Sequence, residues 1–451
     1  MKRTASGKFT GGIIFSPSTK ALKERWNVQQ EKEIYFQPDR VYIPLQQQIG
    51  APSEAVVEKG DVVKQGDLIG QAGGFVGATI HASISGTVKK IVDWPDASGN
   101  QVPTVVIQRD KNAPEVSFSK KDNYQALTKE ELIQRVSDAG IVGMGGATFP
   151  THVKLTVDDD ITVKSIVLNG AECEPFLEAD ALLMENESQR IITGAKIAQK
   201  IFAAEEILIA IETDKPEAIA AMQKSAAEFT DVQIVPVPTN YPQGGEKQLL
   251  ESLLQIEVAI DGGLPVEAGA YLMNVSTSAA VASAVENKQP LISRYCTVSG
   301  DVRQKQTVIF PIGTLAGDII DFCGGFDGLP EKILMGGPMM GKALATLDVP
   351  LTKSSNGLII IGKKSNEAFE ESPCIRCNLC SEVCPMRLEP QNIDLFYRQG
   401  NSKRCQDLKA DACINCGACS YVCPARRDLA RNITAAAGDI KKLIEEAKES
   451  A

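Results

Sequence analysis

Nine of the twelve cysteines in this 451-residue chain lie between Cys374 and Cys423. Eight of those nine form two runs with a single spacing. Cys374, Cys377, Cys380 and Cys384 are followed by Pro385, and Cys413, Cys416, Cys419 and Cys423 by Pro424. A C-x2-C-x2-C-x3-C-P run lets a turning backbone aim three thiolates at three corners of one cube. The fourth is carried into the following helical turn, and proline keeps the chain from returning to the same cube. The chemistry is one-electron transfer on two [4Fe–4S] clusters. The crossed arrangement assigns Cys374, Cys377, Cys380 and Cys423 to one cluster, and Cys413, Cys416, Cys419 and Cys384 to the other. A structural zinc site has no use for a third and fourth cysteine per run. A disulfide framework belongs to short secreted chains. Cys405, between the runs, fits neither and is expected as a buried free thiol.

A second group of residues suits phosphate and nucleotide chemistry. In Gly143-Met144-Gly145-Gly146-Ala147-Thr148-Phe149-Pro150-Thr151-His152-Val153-Lys154, glycines let backbone N–H groups approach an anion and Lys154 supplies a countercharge. Further on stand Asn169-Gly170-Ala171-Glu172-Cys173-Glu174-Pro175 and Tyr241-Pro242-Gln243-Gly244-Gly245-Glu246-Lys247. Both follow apolar strand patterns, and in open parallel sheets ligands sit outside the carboxyl ends of the strands.

These groups need several domains to hold them, roughly three or four for this length. Hydrophobic content of 43% and charged content of 23% are ordinary for a globular protein, and the net charge of −10 argues against nucleic acid. Residues Met1 to Lys20 lack an apolar signal region, and Glu206–Glu212 and Gly357–Gly362 are strand-sized rather than membrane-spanning. The cysteine usage implies a reducing, cytoplasmic setting. Any membrane role is therefore expected to be peripheral.

In chain order, 1–36 reads as an extended arm packed on another part of the protein. Residues 37–110 carry paired Gly-Asp turns (Gly60-Asp61, Gly66-Asp67) between β-branched alternation, which marks hairpin-rich β structure. That stretch resembles the flattened barrel of biotinyl and lipoyl carriers, a barrel-sandwich hybrid. Its tip, Gln71 to Thr79, has no lysine to modify, so it reads as a structural adaptor, with His81 a packed strand residue. A capping box at Thr128 and Glu131 opens a helix to Ala139. Alternating strands and helices through 124–286 predict βαβ units: strands at 165–168, 206–212 and 232–238, helices at 188–203 and 216–229. Residues 287–362 read as a strand-turn-helix module, with Cys296 and Cys323 in its core. Met335-Gly-Gly-Pro-Met-Met-Gly341 is read as a packing turn, with an approach to the flavin or a cluster as the alternative. An acidic stretch, 365–372, leads into the cysteine runs and overlaps the start of the cluster domain, 366–430. A final amphipathic helix, 431–451, with Ile440, Leu443 and Ile444 on one side, is expected to dock on a protein partner.

The glycine loop followed by Asn-Gly-Ala-Glu-Cys-Glu-Pro resembles the flavin and NADH motifs of the flavin-bearing NADH-dehydrogenase subunit of respiratory complex I. With the carrier-like barrel in front and the tandem cysteine runs behind, the whole chain from about Gly11 to Arg427 resembles the RnfC subunit of Rnf electron-transport complexes. The resemblance implies a multidomain α/β and α+β protein: barrel-sandwich hybrid, Rossmann-like flavin domain, β-grasp module of the soluble-ligand-binding type, and two-cluster ferredoxin domain. It further implies FMN, NAD(H) and two [4Fe–4S] clusters. Its partners would be a ferredoxin-like iron–sulfur subunit and integral membrane subunits, on the cytoplasmic face of the membrane. Net flow in the family usually runs from reduced ferredoxin to NAD+, coupled to ion pumping.

By the same resemblance, Gly143, Gly145, Gly146 and Lys154 would hold the FMN phosphate and ribityl chain, with Asn274 near the phosphate. Asn169 and Glu172 would face the flavin ring, Phe149 would stack near the adenine, and Glu174 and Glu246 would contact NADH. The sequence departs from the complex I pattern at Met144 (arginine there), Ala171 (aspartate) and Lys247 (glutamate). Two other readings stand beside this one: a soluble NADH-dependent protein feeding a reductase, and an iron–sulfur relay without a working flavin site.

Overall fold

The computed structural model describes residues 8–449 apart from 27, 29–32, 159, 261 and 364–369. Most of the expected acidic stretch, and the extreme ends of the two terminal segments, lie outside the described residues.

The paired turns of the first domain close on their aspartates. Asp61 accepts from the Glu58 N–H at 2.8 Å and Asp67 from the Lys64 N–H at 2.7 Å. They route the chain between a four-stranded antiparallel sheet (Arg40–Pro44, Gln101–Arg109, Gly86–Pro95, Val62–Val63) and a three-stranded one (Ser53–Ala55, Leu68–Ala72, Ile80–His81). Val41, Ile43, Ile69, Ile80, Val88 and Ile107 fill the space between them. His81 is buried there, and burial, with the charge of Lys353 nearby, lowers its pKa to about 3. It is a packed, neutral residue. At the lysine-free tip, the Phe75 carbonyl lies 3.0 Å from His152 Nε2, so the barrel tip rests on the central domain.

That domain starts at the capping box. Thr128 Oγ1 accepts from the Glu131 N–H, the Glu131 carboxylate accepts from the Thr128 N–H, and the helix runs Lys129–Asp138. Four parallel strands follow in the spatial order Val232–Val237, Glu206–Glu212, Ser165–Gly170, Ala270–Asn274. Glu206–Glu212 is a continuous apolar run because helices cover both faces of the sheet. Helices Ser188–Phe202, Pro216–Ala226 and Val275–Asn287 pack one face, and Glu246–Leu254 the other.

The next module is a mixed sheet in the order Gln306–Pro311, Ser293–Gly300, Gly357–Gly362, Pro330–Met335, with helix Ala316–Phe322 against it. An antiparallel hairpin is followed by a parallel central pairing, the β-grasp arrangement. Cys296 and Cys323 are buried in its core. Among the described residues no helix is long and apolar enough to cross a membrane.

Two terminal expectations need correction. The arm read as extended contains a helix, Pro17–Trp26, started by Ser16 ahead of a proline at the first helical position, and Ile34–Tyr35 pairs with Gln306–Pro311. The last helix begins at Leu429 and runs to Glu449. Its Leu429, Ile433, Ala436 and Ile440 pack into the cluster domain's own core beside Ile393 and Cys405, so Ile440 faces inward rather than toward a partner. Leu443 and Ile444, beyond it, are exposed.

Candidate functional site

The glycine loop is pinned at its base and open at its crest. The Gly143 N–H donates to Phe149 O at 2.8 Å and the Thr148 N–H to Gly143 O at 3.1 Å. Met144 is fixed from both sides, its N–H on Thr277 Oγ1 (2.9 Å) and its carbonyl under Arg294 Nη2 (3.3 Å). Gly145, Gly146 and Ala147 are exposed. Gly146 has φ +115°, and a Cβ built there meets nothing within 4 Å. An open cradle of backbone amides beside a helix start suits an anionic phosphate. The Met144 side chain is buried in the core, so it offers no charge where complex I has arginine. The cation beneath the loop is Arg294, buried on the β-grasp module.

The carboxyl ends of the parallel strands gather the expected polar residues. Asn169 and Asn274 are register partners on adjacent strands. Asn169 donates to Gly244 O at 2.8 Å. Asn274 caps helix Val275–Asn287 through the Ser276 N–H at 2.8 Å and donates to Asp180 at 2.6 Å. Glu172 accepts from the N–H groups of Ala179, Asp180 and Ala181 at 2.9, 3.1 and 3.2 Å, which caps helix Ala179–Asn186. Burial, then the neighbouring Asp180 carboxylate, raise its pKa. Both Glu174 oxygens are engaged by the turn after Met335, accepting from the Met339 and Met340 N–H groups at 3.0 and 2.7 Å. Burial raises Glu174 to about 7 despite those two donors. Lys154 Nζ pairs with Glu246 at 2.8 Å, bringing together two residues expected in the site. Half-buried Phe149 closes the base of the loop.

The two cysteine runs fold alike. Arg376 and Asn415, at φ +57° and +53°, turn their N–H groups onto Cys374 Sγ and Cys413 Sγ at 3.4 Å. Short helices Leu379–Glu382 and Ala418–Tyr421 then carry the fourth cysteine away. Cys384, Cys413, Cys416 and Cys419 line one cavity, with Met386, Leu388, Ile414 and Ile433 among its apolar walls. That set is one run's three cysteines plus the other run's fourth. Among the described residues no three His, Cys, Asp or Glu side chains converge on a single ion. Thiols placed around a cavity suit a polynuclear cube. Burial raises all four thiols, Cys416 to about 12, so binding iron must release their protons. In the other set Cys380 is buried, and Cys423 lies near enough to raise its pKa, after burial itself. Cys374 and Cys377 are exposed. Cys405 is fully buried, with Sγ 3.6 Å from Ile393 O.

Sequence reasoning did not foresee how the two halves of the site meet. Tyr241, 1% exposed, donates its hydroxyl to Cys416 O at 2.7 Å. Tyr241, Cys416, Ala418 and Ile13 form an apolar cluster with Cys173, Met339 and Val422 against it. The loop after Asn169 and the turn after Met335 therefore abut the second cysteine run. Asp180 and Arg294 were also missed. Contacts between residues so distant in sequence leave no local pattern to read.

A nucleotide-type sheet with an amide cradle at its carboxyl ends, abutting a paired-cube domain, defines an iron–sulfur flavoprotein. Family models match in the same order: the RnfC barrel sandwich hybrid domain over residues 7–112, the Nuo51 FMN-binding domain over 136–283, and the 4Fe-4S dicluster domain over 373–426. The C subunit of the proton-translocating ferredoxin:NAD(+) oxidoreductase complex of Clostridium ljungdahlii is 43% identical over 390 residues, 86% of this chain and 84% of that protein. The Na(+)-translocating counterpart of Acetobacterium woodii is 40% identical over 89% of this chain and 91% of its own length. The C subunit of the ion-translocating oxidoreductase complex of Pseudomonas aeruginosa is 40% identical over 86% of this chain, which spans 50% of that longer protein. The chain belongs to the RnfC family, the C subunits of Rnf-type ion-translocating oxidoreductase complexes. Among solved structures, an NAD+-reducing [NiFe]-hydrogenase in the air-oxidized state shares the fold, with TM-score 0.52 and 18% identity, over 73% of this chain and 69% of that one.

Proposed function

We propose that this chain is the subunit through which an Rnf-type ferredoxin:NAD+ oxidoreductase exchanges electrons with NAD(H). It is a peripheral electron-transfer subunit of an ion-translocating complex, and it carries FMN and iron–sulfur clusters. Its place is on the cytoplasmic face, docked on membrane and iron–sulfur subunits. The working units are 37–110, 124–286, 287–362 and 366–430. One observation carries the reading: the cavity lined by Cys384, Cys413, Cys416 and Cys419 lies across an apolar seam from the loop Asn169–Pro175.

FMN supplies the exchange between the electron pair of a nicotinamide and the single electrons of a cube. The protein's own residues supply geometry. Gly145 and Gly146 would present amides to the phosphate, Gly143 would fix the base of the loop because its own N–H is spent on Phe149 O, Lys154 would add charge, and Asn274 would hold the helix start beside them. Asn169 and the Glu172 cap shape the floor under the ring. Phe149 and Glu246 border the dinucleotide. Glu174 supports that site through the turn it holds, because its two oxygens already serve Met339 and Met340. The cube that Cys413, Cys416, Cys419 and Cys384 would hold would be the one proximal to the flavin. The one that Cys374, Cys377, Cys380 and Cys423 would hold would be distal, on the side of the partner that brings or takes electrons.

The test is acid release and quantification of flavin from anaerobically reconstituted protein, with its absorbance followed as NADH is added. Bound FMN bleached by NADH is expected. No flavin in protein with full clusters would leave only a relay.

A further inference from the structure

We infer that Tyr241 and the strap Phe9–Ser16 form a clamp that seats the cube of Cys413, Cys416, Cys419 and Cys384 against the flavin domain, and that Tyr241 tunes this cube through Cys416. This deepens the reading above and rests on its placement of the cube.

A phenol hydroxyl taken out of water requires a partner. That of Tyr241 finds the carbonyl of a cluster cysteine 175 residues away. The same tyrosine is locked from behind: its backbone exchanges two hydrogen bonds with Ile13, at 2.7 and 2.9 Å. One residue earlier, the Gly12 N–H donates to Val383 O at 2.9 Å. Before that, Gly11 has φ +74°, and a Cβ there would stand 2.8 Å from both Cys384 O and Val383 O. The strap thus touches the chain at one ligand of the cube while Tyr241 holds another. Its flanks are fixed as well. Thr10 Oγ1 donates to Glu251 and accepts from Arg387, both at 2.9 Å. The Phe15 ring packs on Tyr241 and edge-on to Tyr421, at 5.6 and 5.5 Å. The Ser16 N–H donates to the Tyr421 hydroxyl at 2.9 Å.

The other cube has no equivalent among the described residues. Cys374 and Cys377 are exposed, and Ile375 between them is 67% exposed. Two cubes held by one repeated motif are therefore made inequivalent by what lies outside the motif. Hydrogen bonding and solvent access around a cluster set its potential. The Tyr241 hydroxyl holds the Cys416 peptide rather than a cluster sulfur, so it acts on the cube by fixing the orientation of that peptide dipole and of the Cys416 side chain it carries. Tyr241 is accordingly a positioning and tuning residue.

The experiment compares wild type, Tyr241→Phe and Gly11→Ala as anaerobic, cluster-loaded full chains. Iron and flavin content, the two cluster midpoints by redox titration with electron paramagnetic resonance, and amide exchange over 11–13 and 413–421 are read on each. Cys377→Ser protein identifies which midpoint belongs to the exposed cube. Tyr241→Phe is expected to keep its iron and flavin, to shift the midpoint of the clamped cube alone, and to speed amide exchange across the seam by about tenfold. Gly11→Ala should perturb the same cube by displacing Val383 and Cys384. Unchanged midpoints and exchange in iron-replete Tyr241→Phe protein, or a Gly11→Ala effect confined to the exposed cube, would overturn the clamp. Failure of wild type to take up iron would instead defeat the cluster assignment beneath it.

Discussion

Lys154 Nζ lies 2.8 Å from Glu246 Oε2, at a site where both side chains are partly exposed. An ion pair in that setting is worth about 0–1 kcal/mol, so a doubly charged phosphate can displace the glutamate. Lys154→Met is expected to weaken FMN binding about tenfold or more, whereas Glu246→Gln should bind FMN at least as tightly as wild type. Titration of flavin fluorescence with flavin-free protein checks this. The reverse order of the two variants would show that Lys154 serves the ion pair alone.

Gly146→Ala separates cradle from fold. Its φ of +115° makes any side chain costly there, by about 1–3 kcal/mol, yet nothing would collide with the added methyl. A modest fall in melting temperature with a large loss of flavin affinity is expected. Equal flavin affinity would place the phosphate elsewhere.

Glu174 predicts a pH dependence of stability. Its folded pKa, raised from 4.5 to about 7 chiefly by burial, means that the folded state holds a proton which the unfolded chain releases above pH 4.5. Its contribution is fully present below pH 4.5, declines as pH rises to about 7, and is flat beyond. Glu174→Gln should therefore flatten that part of the profile, measured by thermal melting of cofactor-free protein between pH 4.5 and 8. An unaltered slope would contradict the buried state of this carboxyl.

Asp394 holds the cluster domain together. Its buried carboxylate accepts from Arg398, Arg427 and Asn432, joining helix Pro390–Arg398 to the segment after the second cysteine run and to the last helix. Burial opposes its ionisation, but these hydrogen bonds outweigh burial and lower its pKa. Asp394→Ala takes this buried acceptor from Arg398, Arg427 and Asn432, leaves the two arginines paired with Glu371 alone, and should cost about 1–3 kcal/mol. The checks are chemical denaturation and the rate of iron loss to a chelator; wild-type values in both would contradict this role.

Much of this was legible in the chain because it is local. The capping box, the apolar strand Glu206–Glu212 and the two cysteine runs each declare themselves within about a dozen residues. The Pro17 helix was equally local, but its Ser-Pro start went unread. What stayed hidden is what long-range folding decides. Glu172 and Glu174 look like ligand-facing acids in a motif, and the fold sets them to cap a helix and hold a turn. Arg294 reaches the glycine loop from another module, 150 residues away. Tyr241 looks like a turn residue until Cys416 is beside it.

The order flavin, proximal cube, distal cube is tested most directly by mixing NADH with wild-type, Cys413→Ser and Cys377→Ser proteins and freezing samples for electron paramagnetic resonance at successive times. In Cys377→Ser the clamped cube should still be reduced at the wild-type rate. In Cys413→Ser, with flavin bound, reduction of the exposed cube should slow sharply. Wild-type reduction of the exposed cube in Cys413→Ser, with loss of reduction in Cys377→Ser, would contradict the placement of the two cubes.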